Sequence, residues 1–157
     1  MKRSLLPVVL LIIISGNFAA IAEQKQAHPH DHDTNPQQIR LNQGEKWEID
    51  ESLNIGMTLI KQEVIKNLDD IHNDLFSNQQ YAQLAIELDK QLAFLFKNCQ
   101  LPPQADAQLH ILLAQIGRGV GVIKHDNNKK QGAVVVIQAL KDYPNYFDDP
   151  AWQDIEH

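Results

Sequence analysis

The chain has one cysteine, Cys99, in 157 residues, so no intramolecular disulfide can form. In an oxidising compartment a lone thiol is buried, binds something or pairs with another chain. Aromatic residues make up only 6% and basic residues number 14 against 20 acidic ones, a net charge of −6. That balance repels phosphates and argues against a nucleic-acid surface. There is no glycine-rich phosphate loop, no repeated unit and no Cys-x-x-Cys-His motif, so covalent c-type haem is excluded by the usual rule. Beyond residue 22 no apolar stretch is long enough to span a membrane. The inward Glu and Glu-x-x-His pattern of di-iron bundles is also missing.

What is present begins with a secretory design. Lys2 and Arg3 precede an apolar run from Leu5 to Ile14, broken only by Pro7, and Ala20-Ile21-Ala22 fits a small-x-small cleavage site. The sequence therefore predicts a signal peptide over 1–22 and a periplasmic, secreted mature protein, with no membrane span after cleavage. Without Lys2 and Arg3 the balance is 12 basic to 20 acidic residues, or −8. Residues 23–38 (EQKQAHPHDHDTNPQQ) hold no aromatic or branched aliphatic side chain and are expected to be a disordered, histidine-rich tail. Residues 39–50 carry Ile39, Leu41, Trp47 and Ile49 around Gly44 and read as an extended arm docked through Trp47.

From residue 51 to 157 the apolar spacing predicts an all-α domain. The first stripe, Leu53, Met57, Ile60, Val64, Leu68, Ile71 and Leu75, implies one long helix from Asp50 or Ser52 to near Phe76. Ser77-Asn78-Gln79-Gln80 is a capping-box pattern, opening a second helix with Tyr81, Leu84, Leu88, Leu92 and Leu95 inward. Pro102-Pro103 can start a third, with Ala105, Leu109, Leu112, Ile116, Val120 and Ile123 inward and Gly117, Gly119 and Gly121 permitting close contact or a kink. The fourth, from about Lys129 to Tyr143 or Tyr146, places Val134, Ile137, Leu140 and Tyr143 inward, although Val134-Val135-Val136 is β-prone. Short connections make this an antiparallel up-down-up-down four-helix bundle with an extended N-terminal arm.

Two constellations carry chemistry. His28, His30 and His32 with Asp31 supply imidazoles and a carboxylate within a few residues, suited to copper or zinc. In an up-down bundle Met57 and His110 lie at similar depth from one end, with Cys99 in the loop there and Trp47 able to close it. A thioether, an imidazole and a thiol at one pole would suit Cu(I), and Met57 with His110 could serve as axial ligands of a b-type haem. Each also has a plain structural reading: Met57 as core filler, His110 paired on the surface with Asp106, Cys99 as a small buried hydrophobe. No nucleophile with an orienting partner emerges, so the protein is read as non-enzymatic. The leading expectation is a periplasmic binding protein that handles copper or zinc through the tail and the bundle end; the alternatives are a structural or partner-binding envelope module in which Trp47 and Trp152 meet another envelope protein, and b-type haem binding.

The stretches LNQGEKWEIDESLNIGM (41–57), NCQLPPQADAQLH (98–110) and YFDDPAW (146–152) resemble the DnrO-like family of small exported proteobacterial proteins. That resemblance implies an exported helical protein with a histidine-rich leader and no defined reaction. The architecture is also loosely similar to cytochrome b562-like bundles, but the late helix-four histidine of that pattern has no counterpart between residues 129 and 147.

Overall fold

The computed structural model describes residues 38–155. It is mostly helical, with helices α1 (Glu51–Ile65), α2 (Leu68–His72), α3 (Asn78–Asn98), α4 (Pro103–His125) and α5 (Lys129–Tyr146). Two short strands, β1 (Trp47–Glu48) and β2 (Phe147–Asp148), pair in parallel with Trp47 opposite Phe147. None of the described helices is long and apolar enough to cross a membrane.

Local chemistry sets the ends. The Asp50 carboxylate caps α1, accepting from the Leu53 N–H at 2.7 Å. Ser77 and Gln80 form a complete capping box at α3, satisfying two backbone donors that the first turn leaves free. Pro103 opens α4, where its missing N–H costs nothing. The valine run stays helical inside α5 because Val136 is buried in the core, and burial overrides local β preference.

The single long first helix is not what forms. It stops at Ile65, and Asn67 sits between α1 and α2 with φ −112° and ψ 0°. Its side-chain amide donates to the Glu63 carbonyl at 2.7 Å, the local bonding by which asparagine competes with a helix backbone. After α2, Asp74 takes a positive φ of 58°, and Leu75, expected inward, is 71% exposed while Phe76 is buried. His72, at the end of α2, is exposed too.

The core is one apolar cluster drawn from α1, α2, α3, α4 and α5. Helix α1 packs on α3, α3 on α4, α4 most extensively on α5, and α5 touches α1. Gly56 of α1 lies under the side chain of Leu95 near the end of α3. Gly119 of α4 and Gly132 of α5 face each other so closely that a Cβ on Gly119 would lie 2.7 Å from the Gly132 carbonyl oxygen. The inward face of α5 is therefore Ala133, Val136, Ala139, Leu140 and Tyr143, not one starting at Val134, which is 44% exposed. Small residues mark the buried side there because the two backbones approach.

Candidate functional site

One end of the fold is tied together by polar side chains. Asp149 is buried; its carboxylate accepts from the Asn54 side-chain amide at 2.9 Å, from the Tyr143 hydroxyl at 3.1 Å and from the Ala151 N–H at 3.1 Å. The second oxygen of Asp50 accepts from the Gln100 N–H at 2.6 Å, so one carboxylate both caps α1 and holds the turn after α3. Beyond Asp149, Trp152 packs edge-on against Tyr143 at 4.6 Å, and the nearly buried Lys61 ammonium sits 4.1 Å from the Trp152 ring while donating to the Gln153 carbonyl at 2.8 Å. Burial lowers the Lys61 pKa, opposed by Asp149 and Asp154. Trp47 is half-buried against the core and its indole N–H donates to the Arg40 carbonyl at 2.6 Å.

Cys99 is the C-cap of α3 and partly buried against the core. Burial, then the carboxylates of Asp50 and Asp106, push its thiol up to about 12. The thiol of the metal-free fold is therefore protonated at neutral pH. The Tyr143 phenol is raised as well, by burial first and by the Asp149 carboxylate second.

The other expected ligands separate. Met57 is fully buried in the core. His110 is on the surface, its side chain about half exposed, with Nδ1 2.9 Å from the Asp106 carbonyl and 3.3 Å from the Asp106 carboxylate. Leu109 takes the inward position and the helix turn carries His110 out, so Met57 and His110 do not face each other across the core. That also leaves them no shared axis for a haem iron. Among the described residues no group of three or more His, Cys, Asp or Glu could hold a metal. His28, His30, His32 and Asp31 lie outside the described residues.

A feature that the sequence reading did not isolate lies on the outside of α3 and α4. Besides its buried stripe, α3 carries Ala82, Ile86, Asp89, Ala93 and Phe96 at alternating four- and three-residue steps, all but Asp89 exposed. Ile86 and Phe96 are 59% and 57% exposed. Helix α4 adjoins this face: Phe96 packs on His110 with ring centroids 5.5 Å apart, and Lys124 bonds Asp89 at 2.9 Å. Between those two contacts α4 carries Ala114, which is exposed, and Gly117 and Gly121, which are partly buried; a Cβ on either glycine would meet nothing within 4 Å. The signal was present as a second heptad-spaced stripe, masked by the stronger inward one.

No family model matches the chain, and no curated protein or solved structure matches it either.

Proposed function

We propose that this chain is a non-enzymatic, exported binding module that holds another envelope protein against a rigid helical domain. We further infer that its four long helices run up-down-up-down with residues 39–50 as a docked arm. Supporting that course, Gly56 near the start of α1 meets Leu95 near the end of α3, and Phe96 near the end of α3 meets His110 early in α4. The observation that carries the functional reading is the outward face of α3, where Ile86 and Phe96 are both more than half exposed; the other exposed large apolar residues are Leu75, at 71%, and Leu41, Ile55, Leu59, Ile65 and Val134, at 37–44%. Isolated exposed apolar residues are ordinary, whereas an ordered row on one face indicates a surface meant to be covered. At the tied end Asn54 and Tyr143 both bond the buried Asp149 carboxylate, and no nucleophile with an orienting base stands beside it; the buried Trp152 indole N–H is the one side-chain donor there without a partner among the described residues.

The test is site-specific photocrosslinking in the envelope, with the probe placed in turn at Ile86, at Trp47 and at Leu75. A discrete partner captured from at least one position is the expected result; no adduct from any position would remove the module reading. Metal handling rests on His28, His30, His32 and Asp31 of the leader, a donor set suited to copper or zinc. Calorimetric titration of the chain with and without residues 23–38 decides it, and it fails if neither form takes up Cu(I), Cu(II) or Zn(II). Likeness to DnrO-like exported proteins, carried by residues 41–57, 98–110 and 146–152, agrees with export and adds no reaction.

A further inference from the structure

We propose that residues 149–155 are an autoinhibitory strap: an acid–aromatic–aliphatic segment that occupies a groove between α1 and α5 and is displaced by a partner's segment of the same pattern. This site lies apart from the outward face of α3 and does not depend on it.

The groove comes from the packing. Helix α5 lies extensively against α4 but meets α1 at few points. The segment after β2 fills that seam and touches both walls. Asp149 reaches Asn54 of α1 and Tyr143 of α5. Trp152 lies against the Tyr143 ring of α5 and under the Lys61 ammonium of α1. Lys61 also holds the Gln153 carbonyl, at 2.8 Å. Asn54 and Lys61 are seven residues apart on α1, so the groove grips the segment at two points about 10 Å apart along one helix face.

The inward residues form a pattern. Asp149 and Ile155 are buried, Trp152 is partly buried and packs on the core, and Pro150, Ala151, Gln153 and Asp154 are exposed. Inward positions thus recur every third residue, with no helix or strand to enforce the spacing. Each meets a matching surface: the carboxylate meets the Asn54 amide and the Tyr143 hydroxyl, the indole lies between a ring and a cation, and Ile155 joins the apolar core. A groove that reads three side chains of an irregular segment of its own chain reads the same three from another.

The attachment is suited to release. The Trp152 N–H bonds the Asp149 carbonyl and the Ala151 N–H bonds the Asp149 carboxylate, both within the strap. Beyond Asp149, the one bond to strap backbone from another element, among the described residues, is that of the Lys61 ammonium. The Trp152 indole N–H is buried with no acceptor among the described residues, which weakens the fit of the native occupant. Leaving the groove therefore requires no helix to unwind, and it opens Asn54, Lys61 and Tyr143 to a competitor.

The test uses the full chain and a fluorescently labelled peptide of residues 148–155, DDPAWQDI, with a second peptide carrying alanine for the tryptophan. In the unaltered chain the tethered strap competes. Trp152→Ala frees the groove, and anisotropy is expected to show the first peptide binding that variant at least about tenfold tighter than the unaltered chain. Ile155→Ala, a milder loosening, should give a smaller gain in the same direction. The alanine peptide should bind neither form, and Lys61→Met in the Trp152→Ala chain should cut binding of the first peptide about tenfold. Native-state hydrogen exchange on the unaltered chain reads the opening directly. The Ala151 and Trp152 amides, corrected for intrinsic rates, should exchange at least about tenfold faster than the core amides of α4 and α5. Equal peptide binding by the unaltered chain and Trp152→Ala, no binding by either, equal binding of the two peptides, or strap amides as protected as the core overturns the proposal. So does loss of the helical circular dichroism in both Trp152→Ala and Ile155→Ala, which would make the segment a part of the core. A partner crosslinked at Ile86, with a peptide indifferent to Trp152→Ala, removes this inference and leaves the module reading standing.

Discussion

Replacing Gly119 by alanine tests the packing of α4 on α5 and, through it, the logic applied to every glycine of α4. The added methyl would lie 2.7 Å from the Gly132 carbonyl oxygen, 2.7 Å from Val136 Cγ2 and 3.1 Å from the Val136 nitrogen. Two of the three are backbone atoms, so no side-chain rotation relieves the clash and the helices must part by several tenths of an ångström. Overpacking of this kind costs about 1–3 kcal/mol. Against it stands the gain of about 1 kcal/mol from replacing a helical glycine by alanine. The net expectation is a loss of up to about 2 kcal/mol, lowering the melting temperature by up to roughly 8 °C for a domain of this size.

The same substitution at Gly117 or Gly121, where the methyl meets nothing within 4 Å, should raise stability by about 0.5–1 kcal/mol. Gly132→Ala probes the wall from the other side, its methyl 2.5 Å from the Gly119 carbonyl oxygen and 2.7 Å from the Ile123 nitrogen. Because one gap serves both, Gly119→Ala with Gly132→Ala should cost less than the sum of the singles. Urea titration followed by far-UV circular dichroism measures all five variants. If Gly119→Ala stabilises as Gly117→Ala does, α4 and α5 are not in glycine-to-glycine contact.

Asp149→Ala strips acceptors from the Tyr143 hydroxyl and the Asn54 amide in a buried setting and should cost about 2–3 kcal/mol in urea titration. With its thiol pushed up to about 12, Cys99 of the folded chain should alkylate at pH 8 at least about a hundredfold more slowly than in urea; equal rates would mean an exposed thiol. That same shift disfavours the charged form in the fold, as burial does for Tyr143. Both contributions are present below the unfolded pKa values and are lost as pH rises through them, so stability should fall from about pH 9 upward. Cys99→Ala should shallow that fall, measured by melting across pH. Ser77→Ala removes the capping box of α3 and should cost about 1 kcal/mol by urea titration.

Periodicity alone was enough for the helices whose inward residues are large. Tyr81, Leu84, Leu88, Leu92 and Leu95 are all buried, as are Leu109, Leu112, Ile116, Val120 and Ile123. It failed where size and burial part company. In α5 the close backbone approach at Gly132 buries Ala133 and Ala139 and leaves the bulkier Val134 outside, so a hydrophobicity count picks the wrong phase. In the first helix the pattern ran on through Asn67, whose side chain takes the Glu63 carbonyl and ends the turn. The tied end was legible only in pieces. Trp47, Asp50 and Asn54, then Cys99 and Gln100, then Phe147 and Asp149 lie in three separated stretches, and no spacing rule says that Asp50 reaches Gln100 or that Asn54 reaches Asp149.

Met57 and His110 show how narrow the margin is for a site inferred from helix depth. Matching heights along two helices is a statement about rise per residue, and a ligand pair also requires matching angle. One residue of error turns a side chain by about 100°, enough to put Leu109 in the core and His110 beside Phe96. The glycines of α4 use that same rotation productively. Two residues apart, Gly117 and Gly119 differ by about 200°, as do Gly119 and Gly121. Gly119 therefore faces α5 while the other two face away from it, and one short sequence lays a bed on each side of the helix. The inner bed is filled by Gly132 and Val136 of this chain. On the outer side a Cβ on Gly117 or Gly121 meets nothing within 4 Å, so alanine would be the more stable residue at either position.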